Sequence, residues 1–200
     1  INPKLIFAAS EFGMYVTQDG GEKWMKLNGG MPMIACRDIK IHKKEDDLVV
    51  ATFGRGIYIL DDISPLRNMN KNVMAKDFNL FDTPKANWFI PRSHLGFEPG
   101  KGDQGAGFFT ADNPTFGASF TYLINKDLKT LKEKRKANEK INLDKKVPVS
   151  FPEWNQLHQE ETEGKLSIAF VIKDQKGQYI RTVNGPVGKG IHRIYWDLKH

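Results

Sequence analysis

Short runs of alternating apolar and polar residues recur along the chain, a pattern typical of β-strands rather than of long helices. Near the amino terminus, runs rich in β-branched and aromatic residues flank two glycines, Gly13 and Gly56. Glycine readily adopts the positive φ that tight reversals often need. The pattern therefore predicts two hairpins, formed by strands at 5–9 and 14–17 and at 48–52 and 57–60.

The two predicted hairpins are copies of one sequence unit. "LIFAASEFGMYVTQD", from Leu5, aligns without a gap on "LVVATFGRGIYILDD", from Leu48, so equivalent positions are 43 residues apart. Residues 23–27 and 38–42 supply two more candidate strands between the copies. Four strands in a repeat of about 40–45 residues is typical of a β-propeller blade. A solenoid of two-strand units is the alternative, which the spacing fits less well.

The stretch "TQDGGEKW" follows the first hairpin and matches the Asp-box pattern Ser/Thr-x-Asp-x-Gly-x-x-Trp through Thr17, Asp19, Gly21 and Trp24. A carboxylate can accept N–H bonds within its own loop, glycine permits the bend, and the Trp ring can pin the turn onto the strands. We expect Asp19 to be structural. Calcium binding is disfavoured because an EF-hand loop needs several alternating oxygen ligands.

The second copy has no such box, since Asp62 is followed by "ISPLRN". We interpret it as the end of a repeat array, whose last blade takes a strand from an upstream segment. The chain begins at Ile1 without a leader sequence, so we expect a fragment of a longer protein.

With these motifs in place, the chain resembles the Asp-box (BNR-type) propellers, and more closely their sortilin-like branch in large exported bacterial proteins. Those proteins are often labelled glycosyl hydrolases or members of the sialidase superfamily. The resemblance implies an extracellular, periplasmic or cell-surface location. It also implies that upstream blades of the same protein are partners of this segment, and that an Ig-like module follows the propeller.

The carboxy-terminal half predicts an antiparallel sandwich. "ASFTYLI" and "KLSIAFVIKD" alternate, "QKGQ" is a turn signal before "YIRTV", and "GIHRIYWDL" places Ile194 and Trp196 on its more apolar face. A charged helix is predicted at about 126–141, with a short second helix after Pro152. The predicted fold class is therefore all-β: a partial propeller at 1–67, a linker at 68–105, and an Ig-like sandwich with a helical insertion at 106–200.

The net charge of +6 is concentrated in residues 126–146, which hold nine basic and four acidic side chains. Acidic residues are interleaved and no aromatic residue is available for base stacking. We expect a solvated helix and no nucleic-acid partner. No apolar run is long enough to span a bilayer.

Candidate chemistry is sparse. The acidic doublets are sequence neighbours, and strand neighbours point to opposite faces, so none is predicted to be a catalytic pair: Asp46–Asp47, Asp61–Asp62 and Glu160–Glu161. Neither the single cysteine, Cys36, nor the five histidines show metal-ligand spacing. We expect no catalytic residue, no metal and no cofactor.

One candidate ligand surface remains. Arg55 lies in the turn of the second hairpin, and Phe12 and Phe53 occupy the two equivalent turns. Such turns line one face of a propeller, where an arginine beside aromatic rings can hold an acidic or sugar ligand. The alternative is that Arg55 only bonds carbonyl groups of a neighbouring blade.

The sequence thus predicts a non-catalytic fragment of an exported propeller protein that binds or scaffolds extracellular protein or glycan. The first alternative is part of a glycoside hydrolase, sialidase-like or xyloglucanase-like, whose catalytic residues lie in upstream blades. The second alternative is a purely structural role, in which the sandwich docks on the propeller.

Overall fold

The computed structural model describes residues 2–90 and 114–199. The predicted loop at 84–107 lies largely outside these residues. The strands are β1 (Ile6–Ser10), β2 (Gly13–Thr17), β3 (Met25–Lys26), β4 (Cys36–His42), β5 (Asp47–Thr52), β6 (Ile57–Leu60), β7 (Phe78–Leu80), β8 (Ala118–Ile124), β9 (Ile168–Lys173), β10 (Tyr179–Gly185) and β11 (Gly190–Trp196). The helices are α1 (Ser64–Asn68), α2 (Lys71–Met74), α3 (Leu131–Asp144) and α4 (Trp154–Thr162).

The amino-terminal half forms two three-stranded antiparallel sheets, with strand orders β1-β2-β3 and β4-β5-β6. The hairpins β1–β2 and β5–β6 are the two copies of the repeat, and both pair antiparallel as the pattern predicts. Gly13 and Gly56 have φ angles of 117° and 76°, which L-residues with a side chain rarely adopt. Strand β3 then pairs with β2 beyond the Asp-box turn.

The two sheets pack face to face around a small apolar core. Met14 of β2 and Leu48 and Val50 of β5 are buried there, together with Cys36 and Ile63. Successive side chains of a strand point to opposite faces, which decides which residues of β6 enter the core. Tyr58 and Leu60 face the core, while Ile57 and Ile59 point outward and are exposed. The outer side of β6 is therefore apolar and exposed.

The carboxy-terminal half contains a three-stranded sheet, β11-β8-β7, and the hairpin β9–β10. Tyr122, Ile124 and Ile194 form its core and pack against Phe170 and Val183 of the hairpin. The two sheets therefore face each other as a small antiparallel sandwich. The predicted hairpin turn is confirmed, with Gly177 at a φ of 79°.

One expectation for this half needs correction. Phe78–Leu80, placed in the linker by the sequence, is strand β7 and pairs with the Tyr122 end of β8. Three residues are too few to show an alternation, so the pattern could not reveal this strand. The preceding helices α1 and α2 also lie in or beside the predicted linker, and Met69 packs with Phe81 and Leu123 in a third apolar cluster.

The helical insertion is present but starts later than predicted. Helix α3 begins at Leu131, because Thr130 caps it: the Thr130 hydroxyl accepts from the Glu133 N–H, and the Glu133 carboxylate accepts from the Thr130 N–H. Neither α3 nor α4 contains a buried residue.

The described residues thus form four small antiparallel sheets and four helices, without a closed barrel or propeller. None of the helices in the described part is both long and apolar enough to cross a membrane.

Candidate functional site

The packed sheets of the amino-terminal half have two distinguishable ends. The Asn2 side chain, just before β1, donates to the Arg67 carbonyl oxygen at 3.0 Å, and Arg67 pairs with Asp46 in the β4–β5 turn at 2.6 Å. The start of β1, the β4–β5 turn and the segment after β6 therefore lie together. We call this the junction end. The β1–β2 and β5–β6 turns lie at the opposite end, the turn end.

The turn end presents two exposed aromatic rings. Phe12 is 62% exposed and Phe53 is 67% exposed. The guanidinium of Arg37, at the start of β4, lies 4.9 Å from the centroid of the Phe53 ring, within cation–π distance. Among the described residues, no ring contact joins Phe12 to Phe53.

Hydrogen bonds fix the turns that carry these rings. The Ser10 hydroxyl donates to the Gly13 carbonyl oxygen at 2.9 Å and accepts from the Phe12 N–H at 3.0 Å. In the second hairpin, the Thr52 hydroxyl donates to the Gly56 carbonyl oxygen at 2.7 Å, and the Phe53 N–H bonds to Ala35. The exposed rings thus stand on ordered turns, which lowers the entropy lost on binding.

Arg55 is exposed in the same turn as Phe53. Within the described residues its guanidinium has no hydrogen bond or ion pair, so its donors are free at this end. The structure places Arg55, Phe12 and Phe53 at the turn end of the sheets. It adds Arg37, whose position depends on the pairing of β4 with β5.

The Asp box forms a closed hydrogen-bonded turn. The Asp19 carboxylate accepts from the Thr17 hydroxyl at 2.6 Å and from the Lys23 N–H at 3.0 Å. These hydrogen bonds lower the pKa of Asp19, and the bond from Thr17 has the largest effect. The Thr17 hydroxyl also accepts from the Gly21 N–H at 3.1 Å. Trp24 is 44% exposed and belongs to none of the three buried clusters, so the turn is held by its hydrogen bonds.

The junction end carries a cleft of about 370 Å³ between the first half and the sandwich. Four carboxylates line it on one side, and residues of the sandwich sheet line the other. The lining includes Glu45, Asp47, Asp61, Asp62, Lys85, Ser119, Arg193 and Tyr195.

Arg193 of β11 joins the two halves across this cleft. Its guanidinium donates to the Thr121 hydroxyl at 3.0 Å and to the carbonyl oxygens of Asp61 and Asp62 at 2.8 and 2.9 Å. It also lies 3.7 Å from the Asp62 carboxylate. The planar fork of arginine suits this contact, since it directs several donors at once.

Two carboxylates in the cleft have unusual surroundings. Desolvation raises the pKa of Asp61, and the nearby charge of Asp47 raises it further. One carboxylate oxygen of Asp62, Oδ2, is buried and has no hydrogen-bond partner among the described residues.

Sequence reasoning missed this cleft. It considered Asp61–Asp62 as a neighbouring pair and rejected it, but Asp47 and Arg193 reach the site from distant parts of the chain. One signal was available. Arg193 lies in a strand with one apolar face, so packing of that strand brings the arginine close to the interior, where a charged side chain needs a partner.

Other reactive groups are isolated. Cys36 is a buried free thiol, and burial raises its pKa, which disfavours the nucleophilic thiolate. Residues 2–90 and 114–199 contain no group of three or more His, Cys, Asp or Glu side chains that could hold a metal ion.

Comparison of the chain with protein-family models, with curated proteins and with solved structures gives no significant match in any of the three.

Proposed function

We propose that this chain is a binding segment of an exported Asp-box propeller protein, and that its turn end holds an extracellular glycan bearing carboxylate groups. The observation that carries the proposal is the pair of exposed rings, Phe12 and Phe53, on equivalent ordered turns of one end. Large apolar rings normally leave water on folding, so two of them held in solvent on fixed turns favour a contact surface.

The arginines define the chemistry of the ligand. Arg55 offers free guanidinium donors, and arginine binds carboxylates through two parallel hydrogen bonds. Arg37 covers one face of the Phe53 ring, which leaves the Phe12 ring open to a sugar. A polymer that repeats both an apolar sugar face and a carboxylate matches this surface.

The test compares an acidic polysaccharide, polygalacturonate, with a neutral one, dextran, by calorimetry on the whole chain. The Phe12→Ala/Phe53→Ala double variant is expected to bind polygalacturonate at least about tenfold more weakly, the usual effect of removing central aromatic contacts. Arg55→Met should remove the preference over dextran. Tyr179→Ala, which truncates an aromatic side chain that is also exposed but lies in the sandwich, is the matched control. Equal binding by the double variant and the wild type contradicts the proposal, as does no binding of either polymer.

The propeller assignment and the exported location rest on the repeat and on the Asp box. Both hairpins pair antiparallel, with a shift of one residue in their partners: Ser10 lies opposite Gly13 in the first, and Ala51 lies opposite Ile57 in the second. Thr17, Asp19 and Gly21 form the hydrogen bonds of the Asp-box turn. Sequencing the reading frame upstream of Ile1 tests both. Further repeats of this length and a leader peptide are expected, and a frame that starts near Ile1 without them contradicts the assignment.

The glycoside-hydrolase alternative expected from the sequence has its catalytic residues in upstream blades. One observation favours a different form of it, with catalysis by this chain: four carboxylates line the junction cleft, and desolvation raises the pKa of Asp61 among them. A glycosidase uses one protonated and one ionised carboxyl group about 5–10 Å apart. Hydrolysis of aryl glycosides by this chain, abolished in Asp61→Asn, would establish that alternative. No hydrolysis by the wild type leaves Asp61 a structural carboxyl group.

A further inference from the structure

The helical insertion stands apart from the rest of the described fold. Its two helices are held to each other: Arg135 of α3 donates to the Glu160 carboxylate at 2.6 and 2.8 Å, and the Leu131 N–H bonds to Glu163 at 2.7 Å. The Arg135 hydrogen bond lowers the pKa of Glu160. The Glu160 side chain is only 3% exposed, but no apolar side chain of either helix is buried, so the pair is held by polar contacts and has no apolar core.

The connection between the helices and its two ends, residues 143–154, is unusually apolar for an exposed segment. We call it the insertion tip. Phe151 is 79% exposed and Trp154 is 82% exposed, the highest values among the exposed large apolar side chains of the described residues. The exposed large apolar residues of the tip are Leu143, Val147, Val149, Phe151 and Trp154. Five exposed large apolar side chains within one short segment favour an interaction surface.

Basic residues accompany the tip. Lys132, Lys136 and Lys140 follow each other at one-turn spacing along α3, and Lys145 and Lys146 begin the connection. The carboxylates close to the tip are Asp144 and Glu153, while Glu139 is paired with Arg135 at 2.6 Å. Over residues 126–146 nine basic side chains outnumber four acidic ones.

We propose that the insertion tip docks on the surface of a membrane that contains anionic lipids, with Phe151 and Trp154 entering the headgroup region and the lysines nearest the tip, Lys140, Lys145 and Lys146, contacting the headgroups. Trp and Phe beside lysines are typical of segments that lie in the interface. Each Lys near an anionic surface adds electrostatic attraction, which strengthens the weak binding that insertion of two rings provides.

Two other occupants fit less well. A second copy docked by the same tip would bring two basic α3 helices together, and like charges at an interface oppose association. A protein helix would need an apolar groove. The groove of about 400 Å³ between α3 and the tip is mainly polar: Val149 and Phe151 line one side, and Arg135, Asn138 and Asn142 of α3 line the other.

The test is co-sedimentation of the whole chain with vesicles of phosphatidylcholine alone or mixed with phosphatidylglycerol. Wild type is expected to bind the mixed vesicles and to lose that binding as salt is raised. Phe151→Ser/Trp154→Ser should weaken binding at least about tenfold, and Lys140→Glu/Lys145→Glu should weaken it by a similar factor. Circular dichroism checks that each variant is folded.

Two matched variants separate the tip from general effects. Tyr179→Ser removes an exposed aromatic ring from the sandwich and should bind vesicles as the wild type does. Entry of Trp154 into the headgroup region should shift the tryptophan fluorescence of the wild type to the blue. Trp154→Phe keeps an apolar ring, so it should bind vesicles but lose this shift. No vesicle binding by the wild type overturns the proposal, and so does undiminished binding by Phe151→Ser/Trp154→Ser. Self-association that disappears in that variant, without vesicle binding, identifies a second copy as the occupant and also overturns it.

Discussion

Replacement of Arg193 by methionine should loosen the contact between the two halves of the chain. Methionine keeps a long apolar side chain but removes all three hydrogen bonds from the guanidinium, to Thr121, Asp61 and Asp62. It also leaves the buried Oδ2 atom of Asp62 without the nearby positive charge, which lies 3.7 Å away in the wild type. Both effects lower the free energy of unfolding.

The size of the effect follows from these contacts. A hydrogen bond that involves a charged group contributes about 1.5–3 kcal/mol, but bonds made by one side chain are not additive. The Arg193 side chain is 24% exposed, so water replaces part of what is lost. We expect a loss of about 2–4 kcal/mol in the free energy of unfolding. Lysine, a point charge that cannot reach all three oxygens, should cost about half as much.

Urea unfolding followed by tryptophan fluorescence measures this loss. The matched control is Arg55→Met, because Arg55 has no partner within the described residues and should change the free energy by less than about 0.5 kcal/mol. If Arg193→Met is as stable as this control, the hydrogen bonds of Arg193 do not hold the halves together, and the reasoning is wrong.

Three further predictions concern single positions. Burial and nearby carboxylates raise the pKa of Asp61 in the folded chain, so wild type loses stability as the pH rises from the ordinary aspartate pKa to the raised one, and the loss is complete above it. Asp61→Asn should therefore be more stable than wild type at neutral pH and equal to it in acid, in urea titrations at several pH values. The pKa of Asp19 is lowered in the folded chain, so Asp19→Asn should have a lower Tm than wild type at neutral pH. This difference in Tm should shrink as the wild-type carboxylate is protonated in acid. A difference that stays constant with pH would contradict the role of the Asp19 charge. Gly117 has a φ of 121° and an added Cβ would lie 1.9 Å from the Trp196 carbonyl oxygen, so Gly117→Ala should cost more than about 3 kcal/mol in urea unfolding. Gly20→Ala, at a φ of 84° in open space, is its control and should cost only about 1–2 kcal/mol; equal losses would refute the steric argument.

The elements that sequence reasoning located share one property: their signal is local. The repeated hairpins follow from alternation around Gly13 and Gly56, and the Asp-box turn follows from Thr17 and Asp19, which bond to each other and to their own loop. Strand β7 was missed because three residues carry no period. The start of α3 was displaced because the charged run from Lys126 matches a helix as well as the capped segment after Thr130 does.

The candidate sites divide in the same way. Phe12, Phe53 and Arg55 could be named in advance because equivalent turns of a repeat lie at one end of the sheets. Arg37 could not, since its approach to the Phe53 ring depends on the β4–β5 register, which contains a bulge between Cys36 and Asp38.

The sequence by itself determined the all-β character, the 43-residue repeat, the Asp-box turn and the charged helical insertion, because each depends on residues close together in the chain. Only the tertiary structure decided that Arg193 reaches Asp61 and Asp62 from more than 130 positions away, and that the α3–α4 pair buries no apolar residue. The physical reason is that burial and long-range hydrogen bonds depend on which faces of distant strands meet. A pattern along the chain specifies faces, but it does not specify their partners.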